Sequence, residues 1–339
     1  MSTKFVSSSI DWENEGKQVG DLRVQWSDNL VPLGYHAVPL ICFCKGQGPT
    51  VLLLGGVHGD EFEGPSSLMR LVQNIDHEKV SGKIMIIPAL NRPAVSVSER
   101  NSPLDGKNMN RSFPGNPQGT PTEVISCHIE SVVIPDCDAV IDLHSGGKAS
   151  YFTPCTLVTE IANREVMKAS LELAEAFGLP TLWKLGEYND DRSVNSAAAR
   201  NAIPMIATEL GGGGGSSPEL TRASEEGLYR CLAQLGVYPD PFEKQLVQDT
   251  RIARAVYMED SNHCIFAPGR GLFDRVCEAG SYVQQGDIAG YFHWLEEPER
   301  TSLAIRFSHS GFVLAHLNRG MVNRGEMLFL VTQETEFNN

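Results

Sequence analysis

Residues 51–65 read VLLLGGVHGDEFEGP. Four apolar residues, Val51 to Leu54, run into a glycine pair and then into two polar side chains three apart, His58 and Glu61. A short apolar run closed by glycines is the pattern of a strand buried on both faces. The stretch that follows, EGPSSLMRLVQNI, has helical spacing, with Pro65 near its start, where a helix tolerates proline. Strand, glycine turn and helix in succession point to a parallel sheet covered by helices.

The alternation continues outward from this stretch. GKIMIIPAL (82–90), DAVIDLHSGG (138–147) and PMIATELGGGGG (204–215) read as further buried strands. PTEVISCHIESVVI (121–134), NREVMKASLELAEAFG (163–178), RSVNSAAARNA (192–202) and LTRASEEGLYRCLAQLG (220–236) read as helices, with Gly178 and Gly236 as stops. After about residue 250 the helical periodicity fades. Short alternating runs broken by glycine take over, and GSYVQQGDIAG is echoed by RGMVNRGEMLF. The expected fold class is therefore α/β: a mainly parallel mixed sheet flanked by helices over residues 1–250, and a smaller all-β domain over 251–339. The echoing hairpins resemble the barrel-sandwich module of lipoyl and biotinyl carriers. No lysine stands at the tip between the two halves, which argues against a covalent carrier. A packing or oligomerisation role is the expectation, with a homo-oligomer as one outcome.

Composition narrows the partners. The 339 residues carry a formal charge of −14, whereas a nucleic-acid backbone calls for a basic face. A small anionic substrate stays compatible, because a few local arginines reverse the sign inside a pocket. The start, MSTKFVSSSIDWENEG, lacks the apolar core of a signal peptide. No apolar stretch approaches the roughly 20 residues that cross a bilayer. These features lead us to expect a soluble cytoplasmic protein with no membrane partner. The eight cysteines lack metal-pair and disulfide-framework spacing, so they read as buried reduced thiols.

In a parallel sheet the functional groups gather beyond the carboxyl ends of the strands. His58 and Glu61 lie there, and so do His144 in DLHSGG and Glu209 in TELGG. Two imidazoles and a carboxylate are ligands that zinc accepts, and a catalytic zinc needs three. The alternative for His58 and Glu61 is a helix-capping Asp60 or Glu61 beside an incidental histidine. Asp142 lies on the same strand face as His144 and can orient its imidazole. Glu209, at the end of an apolar strand, can act as general base beside a metal, or it caps the following loop. The segment 98–115, SERNSPLDGKNMNRSFPG, holds Arg100, Asn110 and Arg111 on turn-forming sequence. An Asn–Arg pair there can hold a substrate carboxylate. The alternative is a pair of surface arginines.

Taken in order, HGDE, DGKNMNRSFPG, DLHSGG and TELGGGG resemble the succinylglutamate desuccinylase/aspartoacylase family, zinc amidohydrolases related to the zinc carboxypeptidases. The match runs from about residue 50 to 240, and the C-terminal β domain fits the family's architecture. The resemblance implies one zinc ion (Zn2+) held by His58, Glu61 and His144, with Glu209 as the catalytic carboxylate. It implies that Arg100 polarises the scissile carbonyl and that Asn110 and Arg111 hold the substrate carboxylate. Arg192 matches a further substrate-binding arginine only at a longer spacing to Glu209, and the family's substrate-contacting tyrosine has no assigned counterpart. The family's usual DLNR is NMNR here, which keeps the Asn–Arg pair. HSGGK with TELGGGG most resembles the N-acetyl-2,4-diaminobutyrate deacetylases of ectoine breakdown. The implied activity is zinc-dependent hydrolysis of a small N-acyl amino acid. Another acyl group, a zinc carboxypeptidase acting on peptides, and a non-catalytic ligand-binding protein are the competing readings.

Overall fold

The computed structural model describes residues 5–29, 31–186, 189–242, 252–258 and 263–337. Val51–Leu54 lie inside the strand Thr50–Gly55, at the centre of a large mixed sheet. Its neighbours Gly82–Ile87 and Ala139–His144 run parallel to it, and Met205–Glu209 runs parallel to Ala139–His144. The expected strands thus form the parallel heart of the sheet. Beyond them Cys155–Thr159 turns antiparallel to Met205–Glu209, and Thr181–Leu185 and Arg254–Tyr257 follow it in parallel.

The central strands read as unbroken apolar runs because both faces are covered. Strand alternation sends Leu52, Leu54 and Val140 into one core cluster and Val51, Leu53 and Ile141 into another. The helices Glu63–Asn74, Arg164–Phe177 and Pro218–Gln234 cover the second face. On the first face lie the helices Pro121–His128 and Val194–Arg200, together with residues of the last strands.

The helix stops read from sequence are real. Gly178 caps Arg164–Phe177 with φ 82°, and Gly236 turns with φ 72° after the helix Pro218–Gln234. The expected helix over 121–134 is shorter: it ends at His128, and a widened turn over Ile129–Val133 and a tight one over Ile134–Asp136 complete the segment. Pro135 cannot donate to an α-helical ladder, so the regular helix does not continue through it.

Two long antiparallel strands, Gly16–Trp26 and Gly34–Lys45, extend the sheet on the N-terminal side. Half-exposed alternation, with Gly20 in the middle, hides the first of them in the sequence, whereas the second carries the apolar run around Cys42 and Cys44 and is buried there. At the other edge the C-terminal strands Met327–Thr335, Gly311–Leu317 and Tyr282–Val283 continue the large sheet. A separate antiparallel sheet holds Leu303–Arg306, Ile288–His293, Gly271–Arg275 and Met321–Val322, around a third core with Phe273, Phe292 and Phe329. The sequence echo has a structural counterpart. Each half is a two-residue strand, a left-handed glycine turn (Gly286 or Gly325) and a longer strand. The expected division between residues 250 and 251 falls outside the described residues. No helix among the described residues is long and apolar enough to cross a membrane.

Candidate active site

The glycines of the opening stretch have a steric reason. Gly56 turns with φ 63°, and a Cβ on Gly59 would lie 2.1 Å from the Ala94 carbonyl carbon. The chain therefore leaves the strand sharply and packs against the segment after Asn91, which brings His58 and Glu61 back over the strand end. Helix capping does not explain them: the helix starts at Glu63 after Phe62, which makes no side-chain cap.

His144 ends the neighbouring strand, and the three side chains converge. His58, Glu61 and His144 are 3%, 3% and 6% exposed, and one ligand atom from each lies within 4.8 Å of the others. His58 Nδ1 is 2.7 Å from Glu61 Oε1, and His144 Nδ1 is 2.8 Å from Glu61 Oε2. The outer nitrogens are both engaged. His58 Nε2 donates to Asn108 Oδ1 at 3.0 Å, and His144 Nε2 donates to Asp142 Oδ2 at 2.8 Å. That leaves each Nδ1 aimed inward, as expected when an oxygen behind an imidazole fixes its tautomer for a metal. Two inward imidazoles and a carboxylate fit a zinc ion. Glu61 is held further by Arg100 Nη1 at 3.0 Å and by the backbone N–H of Ser145 at 3.1 Å.

The electrostatics follow from burial and crowding. Burial alone would raise the Glu61 carboxyl, but the two imidazoles hold it well below its usual range. Burial alone would depress His144, but Asp142 and Glu61 hold it well above its ordinary value. Burial lowers His58, against the pull of Glu61.

Glu209 pairs in register with His144 across the sheet, so both side chains stand on one face. Its Oε2 is buried and has no hydrogen-bond partner. Burial, then the negative charge of Glu61, pushes its carboxyl up to about 8. A dication at the His–Glu–His cluster would oppose that rise. The glycines after Glu209 form a tight, packed turn. A Cβ on Gly212 would lie 2.1 Å from the Ser150 carbonyl oxygen, and Gly146 and Phe152 both donate to the Gly211 carbonyl. Asp60 braces the facing loop by accepting from the backbone N–H of Lys148 at 2.9 Å.

Arg100, Asn110 and Arg111 line the same cleft, of about 460 Å³. Asn110 Oδ1 accepts from Val194 N at 2.9 Å, which leaves its amide NH2 group to meet a ligand. Arg111 Nε is 2.8 Å from Asp190, which also forms a two-pronged pair with Arg192. Arg192 hydrogen-bonds first and foremost to Asp190 and holds that carboxyl down to about 2. Arg192 is thus a rim residue reaching Arg111 through Asp190; the cleft itself is lined by Asp190.

Asn108, Asp190 and Ser145 had no part in the sequence reading. Asn108 lies within the quoted motif, but nothing in its spacing marks it as the partner of His58. Asp190 is one acid in a polar run, and only the fold brings it to Arg111.

Comparisons with known proteins show the family. The model of the succinylglutamate desuccinylase/aspartoacylase catalytic domain matches residues 47–235. The chain belongs to this family. An N-alpha-acetyl-L-2,4-diaminobutyric acid deacetylase of Halomonas elongata is 32% identical over 335 residues, 98% of this chain and 96% of that protein. The product-bound ectoine utilization protein EutE of Ruegeria pomeroyi superposes with a TM-score of 0.92 at 31% identity, covering 97% of this chain and 99% of that one. A family member from Rhodobacter sphaeroides gives a TM-score of 0.90 at 31% identity over 98% and 100% of the two chains. The mixed α/β fold with its separate C-terminal antiparallel sheet is thus that of the family.

Proposed function

We propose that this family member hydrolyses the amide bond of an N-acyl amino acid, with N-acetyl-2,4-diaminobutyrate or a similar N-acetyl amino acid as substrate. The observation that carries the proposal is the pairing of the buried His58–Glu61–His144 cluster with the Glu209 carboxylate on the next strand, whose buried Oε2 has no hydrogen-bond partner. The similarity to the Halomonas deacetylase supports the acetyl group. Bound zinc would supply Lewis acidity toward the amide carbonyl and make a water easier to deprotonate.

The roles of the chain's own residues follow from where they stand. Glu209 takes the proton of the attacking water. The water oxygen adds to the carbonyl carbon, and Arg100 faces the negative charge that grows on the carbonyl oxygen. Glu209 then returns the proton to the nitrogen as the carbon–nitrogen bond breaks, so the amine leaves neutral rather than as an anion. Arg111 and the Asn110 amide hold the substrate carboxylate and fix the amide over Glu209. Asn108 and Asp142 keep the two imidazoles in their ligating tautomers. The cytoplasmic location and the division into a catalytic part (1–250) and a β domain (251–339) belong to the same proposal.

The test is zinc content together with primary-amine release from a panel of N-acyl amino acids and dipeptides. One zinc per chain and turnover of the N-acetyl amino acids are expected. Turnover of dipeptides alone would replace the deacylase with a carboxypeptidase, and tight binding without turnover would leave a binding protein.

A further inference from the structure

The cleft is larger than an acetylated amino acid requires, and its surplus has one chemical character. Ala207, two residues before Glu209, lies on the same face of its strand and pairs in register with Leu157, which pairs with Trp183. Residues in register across a sheet share a face, so Ala207, Leu157 and Trp183 form a floor running sideways from the reacting centre. Leu157 and Trp183 stand one and two strands from Ala207, or about 5 and 10 Å. An extended N-acetyl amino acid is only about 7 Å long.

The far walls are apolar as well. Phe152 stacks on Trp183 with ring centroids 6.2 Å apart, and Met258, Met327 and Leu330 line the remaining side. Phe152, Trp183, Met258 and Met327 belong to the core of this face and are yet only partly buried. Part of their surface is therefore left uncovered at a cleft wall, inside the molecule. Lys184 sits between the cleft-facing Trp183 and Leu185, but alternation turns its side chain to the other face, where Nζ donates to the Glu336 carbonyl at 2.8 Å. Among the described residues, the ionisable side chains facing the cleft gather around the His–Glu–His cluster and Arg111, and Asn189, Ser193 and Asn195 add neutral polar groups to its lining.

We propose that this annex is an apolar subsite, and that it takes an uncharged hydrocarbon group of the substrate larger than an acetyl methyl. The group is either the acyl chain or the side chain of the amino acid, two sources of one chemistry. Small Ala207 leaves the passage from Glu209 open. The inference rests on the deacylase reading of the cleft, which it refines from an acetyl substrate to a wider class.

The experiment measures both binding and turnover with the zinc-loaded protein. One series lengthens the acyl group on 2,4-diaminobutyrate from acetyl to butanoyl and hexanoyl. A second keeps acetyl and lengthens the side chain from alanine to norvaline and norleucine. Along one series, Kd by calorimetry and kcat/KM should improve about fourfold per methylene. The series that improves identifies which group enters the annex. Met327→Trp should erase the gain with chain length, while Met327→Leu should keep it. A flat or worsening response in both series overturns the annex, even where the acetyl substrates are turned over. Tightening Kd with chain length but no turnover of any compound keeps the annex and removes the deacylase reading.

Discussion

The two ends of the polar site are built on different principles. At the metal end, His58, Glu61 and His144 are nearly inaccessible, and every outer nitrogen has a fixed partner. At the carboxylate end, the Arg111 side chain is 41% exposed and is positioned by Asp190, which Arg192 holds in turn. A buried cluster of short side chains on strand ends keeps its geometry without help from substrate. An exposed arginine on a loop is held by ion pairs that are each weak in water. Under the proposed function, the difference teaches that the geometry for the ion is preset, whereas the arginine end adjusts to what it binds.

The sharpest way to break this contrast is at Glu209. Glu209→Gln should lower kcat by about 10²–10⁴-fold with zinc still bound, measured by turnover and metal content on one sample. Full activity with zinc retained would remove Glu209 from the mechanism.

A pH test on the metal-free protein follows. The Glu209 carboxyl, ordinarily near 4.5, is pushed up to about 8 in the fold, and His144 is held well above its ordinary 6.5. Both groups bind protons more tightly folded than unfolded. The stability they contribute is therefore full below their unfolded values and is lost as pH rises through the folded ones. Glu61, held below 4.5, and His58, held below 6.5, add no slope above neutrality. Between pH 7 and 8.5 the metal-free protein should lose several degrees of Tm, and Glu209→Gln should flatten part of that fall. A Tm that rises over this range contradicts the electrostatic picture.

Asp142, behind the His144 imidazole, and Arg111, facing the substrate carboxylate of the proposal, should respond differently to substitution. Asp142→Asn should weaken zinc binding about 10–100-fold and leave KM of the remaining loaded enzyme nearly unchanged. Arg111→Ala should do the reverse, raising KM roughly 10–100-fold with zinc affinity intact. If either substitution moves both quantities equally, the two ends are not separate devices. The smallest effect belongs to Arg192→Ala, about fivefold or less in KM, because exposed Arg192 acts on Arg111 only through Asp190. A loss as large as that of Arg111→Ala would show direct contact of Arg192 with substrate.

Legibility in the sequence follows the same divide. The His–Glu–His cluster was readable because its residues follow, within a few positions, strands that announce themselves as unbroken apolar runs. The rule that such ends carry function then selects His58, Glu61, His144 and Glu209 with no knowledge of distances. Asn108, the partner of His58, was not readable, since it comes from a loop 50 residues away. Nor was the pairing of Arg111 with Asp190, which joins two polar loops that share no periodic signal. The N-terminal strand Gly16–Trp26 escaped for a related reason: a half-exposed strand mixes polar and apolar residues as surface loops do.

By itself the sequence determined which strands are buried on both faces, where they stop, and which side chains stand at those stops. These are local matters, set by hydrophobic runs and by glycines that allow sharp turns. Tertiary structure alone decided that Asn108 backs the His58 imidazole, that Asp190 holds Arg111, and that Ala207, Leu157 and Trp183 line up into one apolar floor. Each of these depends on strand order and register. Those are fixed by the packing of the whole sheet between its two cores, and no short stretch of chain encodes them.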